Sequence, residues 1–480
     1  MKRYRYTIIA LFLGMQILSA QNEVDILRFS QNFNMGTARS VGMGGAVGAL
    51  GGDITSLSVN PAGLGIYRSS ELTITPSFNW NVTSSDFLNE TNVDRQRSFN
   101  LANFGYVSFN DLNHESGWIS TSFAFGYNNL NNYNQKIFMA GINNLNSFLD
   151  DFNDIPDDTE SGDYLFYKDL AFQDSLLVFD NSTQKYSTDF KIDGYGQVQE
   201  RLLTSSGSTG EYAFSFGANY NHRFYFGSTL GVQRVNYDRS FVHTEADPDN
   251  KIGYVDKFIF NEDQSTRGFG FNLKLGAIVR PLDFLKVGAA FHVPTMYFLK
   301  DRFTTDLTAY YDDYSPKTAS SPLGENNYRI ISPYKIVVSA SGTIGKVALL
   351  SVDYEFIDYS SAKIESEKDR FTDANDAVKV LYKSASNIKA GGEVRFSSIY
   401  LRGGYAFYGS PYALVDPAAN ESHNVFSGGI GYRGSFTFVD LSLSRNSFEQ
   451  AYYMYKSQVA NGAVNTSDAN HLLLTVGFKF

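Results

Sequence analysis

From Glu71 onward, apolar and polar residues alternate with a period of two. At the end of the chain Leu472, Leu474, Val476, Phe478 and Phe480 share one phase, and Leu473, Thr475, Gly477 and Lys479 share the other. In 210–222 Tyr212, Phe214, Phe216, Ala218 and Tyr220 fall on one phase. In 267–280 Phe269, Phe271, Leu273, Leu275, Ala277 and Val279 do the same, opposite Gly268, Gly270, Asn272, Lys274 and Gly276. A period of two is that of a β-strand. One apolar phase and one polar or small phase, held over ~10 residues, suits a strand with lipid on one side and a polar interior on the other.

The pattern predicts strands at 72–81, 98–110, 117–138, 210–222, 224–240, 268–280, 285–299, 330–345, 346–360, 384–396, 398–409, 423–433, 436–456 and 471–480. The connections at 82–97, 139–209, 241–267, 300–329, 361–383, 410–422 and 457–470 are long and polar. Those at 111–116, 222–224, 281–284, 345–346, 396–398 and 433–436 are short. Long and short alternate without a break. A transmembrane barrel sorts its loops this way because one set faces outward and the other forms tight periplasmic turns. A sandwich or propeller has no such reason, and no fixed-period repeat is present. The expected fold is all-β: a transmembrane antiparallel β-barrel of about 14 strands over 71–480, multi-pass in the bacterial outer membrane, with both termini periplasmic and 139–209 as a long extracellular loop insertion. The aromatic Phe480 closing the last strand is what the barrel assembly machinery is expected to read.

The first seventy residues do not alternate. Lys2, Arg3 and Arg5 precede an apolar run from Thr7 to Leu18 and a small residue at Ala20. This is a signal peptide over 1–20, since about a dozen apolar residues are too few to span a bilayer. Residues 21–70 are rich in small residues around Gly42, Gly44, Gly45 and Gly48. They look superficially like a dinucleotide loop, but no buried strand precedes them. Such a segment packs closely, and a barrel this wide cannot be filled by side chains alone. Residues 21–70 are therefore expected to form an N-terminal hatch, or plug, inside the lumen.

Composition narrows the function. The chain has 480 residues, 19% of them charged, against roughly 25% in ordinary soluble domains. A net charge of −10 argues against nucleic acid as a partner. A mean hydropathy of −0.24 excludes a bundle of membrane helices. Cysteine is absent and the 6 histidines are scattered, so neither a metal nor another cofactor is expected. There is no Gly-x-Ser-x-Gly nucleophile elbow and no His-Glu-x-x-His zinc motif; an enzyme is not expected. Phe138, Phe148, Phe152, Phe166 and Phe172 lie in or beside the 139–209 insertion. They form either an apolar ligand-capture surface or a small loop core. Asp150, Asp151, Asp154, Asp157 and Asp158 make that loop acidic, as a solvated face or a cation-bridged contact with lipopolysaccharide.

The stretch Ala38-Arg39-Ser40-Val41-Gly42-Met43-Gly44-Gly45-Ala46, followed by Asp53 and by Asn60-Pro61-Ala62-Gly63-Leu64, resembles the N-terminal hatch of the FadL/TodX family of outer-membrane transporters. Residues 285–290, 351–356 and 401–406 look like strands of the same family. The resemblance implies a fourteen-stranded barrel and passive uptake of hydrophobic compounds such as long-chain fatty acids or aromatic hydrocarbons. Capture by loops, a pocket above the hatch and a sideways exit through the wall are implied with it. Asn60, Pro61 and Ala62 match the family motif and would set the hatch conformation, while Gly42, Gly44 and Gly45 would let it thread or shift. A break in the third strand is expected near Gly126 or in 128–134. Implied partners are hydrophobic small molecules, outer-membrane lipid and lipopolysaccharide, and the barrel assembly machinery during biogenesis. The long polar 139–209 insertion departs from the family. It leaves open an alternative: a PorV-like role in type IX protein secretion, with secretion-system proteins as partners.

Overall fold

In a computed structural model the chain is described over 23–480, apart from 34, 154, 156–163, 182–184, 189, 191–194, 253, 367–370, 414–420 and 456–461. The predicted signal peptide lies outside the described residues, as do Asp154, Asp157 and Asp158.

Fourteen antiparallel strands form one closed wall. They are β1 (Glu71–Phe87), β2 (Glu90–Asp111), β3 (Trp118–Asn132, resuming as Gln135–Asn143), β4 (Gln197–Tyr220), β5 (Phe224–Ala246) and β6 (Val255–Leu282). Then come β7 (Leu285–His292, resuming as Met296–Tyr311), β8 (Gly324–Ile331, resuming as Lys335–Ile344), β9 (Ala348–Asp358) and β10 (Ser384–Phe396). The wall ends with β11 (Ile399–Tyr408), β12 (His423–Arg433), β13 (Thr437–Tyr452) and β14 (Ala463–Lys479). Each strand pairs with the next, and β1 closes on β14 from Glu71↔Lys479 to Asp86↔Val464. The strand number matches the sequence expectation. Long and short connections alternate from β2 onward, but the first, expected to be long over 82–97, is a two-residue turn at Leu88-Asn89, because β1 and β2 keep pairing to Phe87↔Glu90.

The alternation sets the two faces. Phe214, Leu230 and Phe426 stand 54%, 63% and 63% exposed on the outside, while Thr75, Asn103 and Thr475 are fully buried on the inside. An apolar exterior around a polar interior is the inverse of a soluble protein and fits a lipid-embedded wall. No helix among the described residues is long and apolar enough to cross a membrane; the strands are the crossing elements. The architecture is that of an outer-membrane β-barrel.

The strands run farther than the alternation signals. β6 has 28 residues, where about 10 suffice to cross. On β5 the exposed apolar residues stop at Leu230, yet pairing with β4 continues to Ala246. The long connections are accordingly shorter than predicted: β3 continues to Asn143 and β4 begins at Gln197 within the expected 139–209 loop. Above the lipid band both faces carry polar residues, so the two-residue contrast fades while the backbone ladder persists.

Two wall strands bend together. β7 breaks at Val293-Pro294-Thr295 and β8 at Ser332-Pro333-Tyr334. Proline has no N–H to give to a ladder, and the adjacent breaks are joined by Ser332 N–H donating to the Thr295 carbonyl at 2.9 Å.

The long-loop end is covered by a cap with its own core. Phe148, Leu149, Phe152, Phe166 and Leu170 pack against Met139, Phe241, Phe258 and Phe260 from the strand extensions. Glu245, fully buried on β5 above the lipid band, pins the cap. It accepts from Ser147 Oγ (2.6 Å), Phe148 N–H (2.7 Å) and Gln199 Nε2 (2.7 Å). His243 Nε2 lies 3.0 Å away, and Arg201 Nε donates to His243 Nδ1 at 3.3 Å. One ring nitrogen thus accepts while the other donates, as in a neutral imidazole. Burial and the adjacent Arg201 guanidinium push His243 down to about 4. The opened cap would bind a proton that the closed cap refuses. Cap stability is therefore expected to fall as pH drops from 6.5 towards about 4. In a Met139→Cys variant of this cysteine-free chain, thiol labelling should accelerate over that interval, after correction for thiolate fraction, and His243→Asn should flatten the dependence.

Candidate functional site

The interior of the barrel carries the N-terminal segment. It comprises helix α1 (Glu23–Ser30), helix α2 (Ala38–Gly42), helix α3 (Ser56–Val59) and a 3₁₀ turn at Pro61–Ile66. These pieces are too short to satisfy their own backbones, and the inner wall supplies the missing partners. Ala38 N–H donates to Thr475 Oγ1 (2.8 Å), Gly44 N–H to Ser427 Oγ (3.1 Å) and Gly48 N–H to Asp353 Oδ2 (2.8 Å). Lys286 Nζ and Ser341 Oγ donate to the Leu50 and Ala49 carbonyls (2.6 and 3.0 Å), and Ser58 Oγ donates to Glu211 Oε2 at 2.7 Å. Arg39 Nε and Nη2 each lie 3.2 Å from the Glu393 carboxylate.

Gly42 ends α2, and Gly44 and Gly45 lie on the turn that leaves it. Gly44 has φ +64°, and a Cβ there would sit 2.8 Å from the Tyr405 nitrogen. A Cβ on the facing Gly404 would overlap Gly44 itself. Backbone therefore meets backbone, which only glycine permits. Asn60, Pro61 and Ala62 sit against β5, β6 and β7. Asn60 caps the 3₁₀ turn by accepting from Ala62 N–H (3.2 Å), and its amide donates to the Gly48 carbonyl at 2.7 Å. Gly276 and Gly227 of the wall leave room for the Asn60 side chain and the Pro61 backbone. One asparagine thus ties two stretches of the segment to each other and to the wall.

The wall is incomplete beside this segment. β2 pairs with β3 only from Asn103↔Asn128 to Asp111↔Ser120. Beyond Asn128 the third strand shifts register against β4 between Asn129 and Asn131, and its second leg pairs with β4 alone. The upper half of β2 has no ladder partner on that side. The second leg is held to its neighbours without a ladder: Asn132 Nδ2 lies 3.5 Å from Ser98 Oγ, Lys136 Nζ lies 3.2 Å from Asp94, Asn81 Nδ2 donates to the Asn134 carbonyl, and Gln135 Nε2 donates to Ser467 Oγ at 3.3 Å. The asparagine-rich run bends here because its side chains bond local backbone: Asn132 N–H donates to Asn131 Oδ1 (2.9 Å) and Asn134 N–H to Asn132 Oδ1 (3.0 Å). Carbonyls released by the bend are taken by the N-terminal segment, with Phe33 N–H donating to Leu130 (2.8 Å) and Met35 N–H to Asn129 (3.1 Å).

Inward of the opening is an apolar chamber. α1 inserts Ile26, Leu27 and Phe29 among Tyr133, Tyr237, Tyr297, Leu299, Tyr328, Tyr359 and Tyr382. Phe29 meets Tyr133 and Tyr237 edge-on, with ring centres 6.1 Å apart in both cases. Arg28, paired with Asp25, lies 4.5 Å over the Tyr237 ring. The sequence reading missed this chamber because its tyrosines come from separate strands and loops. The one available signal was 32 tyrosines against 2 tryptophans, with Tyr237 and Tyr297 on the otherwise polar inward phase.

The five phenylalanines of the expected capture surface separate. Phe148, Phe152 and Phe166 are buried in the cap core and Phe138 is half-buried on β3, while Phe172 stands open. The loop-core arrangement accounts for the three buried rings, which present no capture surface. Asp150 belongs to the cap's bonding, accepting from Ser147 N–H at 2.9 Å and Tyr195 OH at 2.7 Å. Among the described residues no cluster of three or more His, Asp or Glu could hold a metal ion.

No family sequence model and no curated protein sequence matches the chain. Solved structures do. A FadL homologue of Pseudomonas aeruginosa aligns over 94% of this chain and 99% of its own, with TM-score 0.54 at 13% identity. The toluene transporter TodX of Pseudomonas putida gives 94% and 99%, TM-score 0.54 and 11% identity. The toluene transporter TbuX of Ralstonia pickettii gives 94% and 99%, TM-score 0.51 and 15% identity. The chain has the FadL fold. At these identities the shared quantity is the path of the backbone, and the FadL fold here extends over almost the whole described chain.

Asn60→Ala should remove both bonds that join Gly48, Asn60 and Ala62, leaving the Gly48 carbonyl and Ala62 N–H buried without partners. The expected cost is about 1–3 kcal/mol, read as faster hydrogen exchange in 44–64 while the barrel itself still migrates as a folded band in unheated gels.

Proposed function

We propose that the protein is an outer-membrane transporter for passive uptake of hydrophobic compounds, such as long-chain fatty acids or aromatic hydrocarbons. The observation that carries this reading is the unpaired edge of β2, which opens the wall beside a tyrosine-lined apolar chamber occupied by α1. Long loops face outward and short turns face the periplasm in this reading. A ligand enters past the cap, takes the place of Ile26, Leu27 and Phe29 among the tyrosines, and leaves sideways between β2 and β3. Residues 21–70 act as the hatch, with Asn60, Pro61 and Ala62 fixing its seat and Gly42, Gly44 and Gly45 shaping its turn.

The energetics suit such a route. An apolar chamber gains ~0.8 kcal/mol for each ligand CH₂ it shields from water, enough to draw an amphiphile from the outer leaflet. A sideways exit delivers it into membrane rather than water, so movement down a gradient needs no energy source. The structures that share the fold include proteins described as toluene transporters, and this supports the ligand class. Lipopolysaccharide around the wall and the barrel assembly machinery during biogenesis are the partners this location entails.

The opening can be closed covalently. Asn132 and Ser98 lie within side-chain reach, and the chain has no cysteine of its own. In a Ser98→Cys/Asn132→Cys variant, oxidation should lower uptake of a labelled long-chain fatty acid and of toluene by at least about tenfold, and reduction should restore it. Uptake of both compounds unaffected by the cross-link would overturn the sideways route.

A further inference from the structure

At the short-turn end, beneath α2, the structure holds a cavity of about 280 Å³ lined by Arg39, Glu393, Tyr400, Arg433, Phe438 and Lys479. Its charges are layered. Glu393 accepts from Arg39 and from Arg402 Nε at 2.6 Å. Behind it the fully buried Asp440 accepts from Arg402 Nη1 (2.7 Å) and Arg433 Nη1 (2.8 Å). Lys479 Nζ reaches Glu71 only at 3.9 Å. Four cations (Arg39, Arg402, Arg433, Lys479) thus stand among four carboxylates (Glu393, Asp440, Glu71 and, behind Arg39, Asp53), and Lys479 is the most loosely paired of the four. Arg402 Nη2 is buried with no hydrogen-bond partner, although its guanidinium is otherwise the centre of the cluster.

The remaining walls are aromatic. Arg433 lies 4.6 Å from the Phe438 ring centre and 5.4 Å from that of Tyr400, and Lys479 lies 5.4 Å from Phe438. A loosely paired cation, Lys479, beside an aromatic wall is complementary to a monoanion carried on a flat apolar stem. Arg39 comes from the N-terminal segment and all the other charged groups come from the wall. Among the described residues its bond to Glu393 is the one ion pair joining the two.

We propose that this mouth cavity is a binding site for one small aromatic carboxylate. The carboxylate sits between Arg433 and Lys479, the ring lies against Tyr400 and Phe438, and the ligand competes with Glu393 for the Arg39 guanidinium. The site is separate from the chamber and the β2–β3 opening, and its test does not depend on transport.

The test is calorimetric titration of the full chain in neutral detergent with sodium benzoate, with inorganic phosphate titrated separately. One benzoate per chain is expected. Lys479→Gln, at a half-exposed side chain, should weaken binding about tenfold, and Arg433→Gln should weaken it at least as much. Glu393→Gln should tighten it, since the competing carboxylate is gone; damage to the fold would weaken it instead. The proposal is overturned if benzoate does not bind, or if it binds Lys479→Gln and Arg433→Gln as tightly as the parent chain. Phosphate binding without benzoate binding also overturns it, and would reassign the cavity to a phosphate headgroup.

Discussion

A β-barrel of this width cannot fill itself, and every other feature of the molecule follows from that. Side chains on opposite walls do not meet, so the polar inner face needs a second surface to bond with. The N-terminal segment is that surface. Its turns and short helices leave many N–H and C=O groups unpaired, and the inward phase of the wall is populated by Ser, Thr, Asp and Lys side chains that reach them. Thr475, Ser427, Asp353, Ser341 and Lys286 each hold one backbone group of the segment. The polarity inside the barrel is therefore a folding requirement as much as a property of a channel.

The same exchange of partners explains the opening. A strand that leaves its neighbour exposes carbonyls, and exposed carbonyls within a membrane are costly. Leu130 and Asn129 escape that cost because Phe33 and Met35 donate to them. The wall can be broken at β3 only because the N-terminal segment is there to receive the loose edge. The apolar chamber lies directly behind, where α1 buries Ile26, Leu27 and Phe29.

The sequence displayed the parts of this fold that touch lipid. Alternation at Phe214, Phe269 or Leu474 is imposed by the membrane, and it marks the fourteen strands; the tight turn at Leu88-Asn89 was hidden because β1 and β2 run on past the alternating stretch. The extensions of β4, β5 and β6 above the lipid were hidden, because water on both faces removes the contrast. The N-terminal segment was visible through its density of small residues, and Asn60 through its place in a local motif. The chamber tyrosines and the charged cluster around Arg402 were not visible. They are assembled from positions far apart in the chain, and each looks locally like an ordinary inward residue. The breaks at Pro294 and Pro333 were legible in principle, since a proline within an alternating run marks a place where a ladder cannot continue.

The bond from Ala38 to Thr475 joins residues 437 positions apart. Ordering so long a stretch before any contact rewards it makes such a pairing slow to form. Ala38 cannot reach its partner until β14 is in place, because Thr475 lies on β14, which pairs with β1. Closure of the cylinder is thus what completes the seat of α2. Until then the cell must shelter a chain whose lipid-facing and self-facing edges are both unsatisfied.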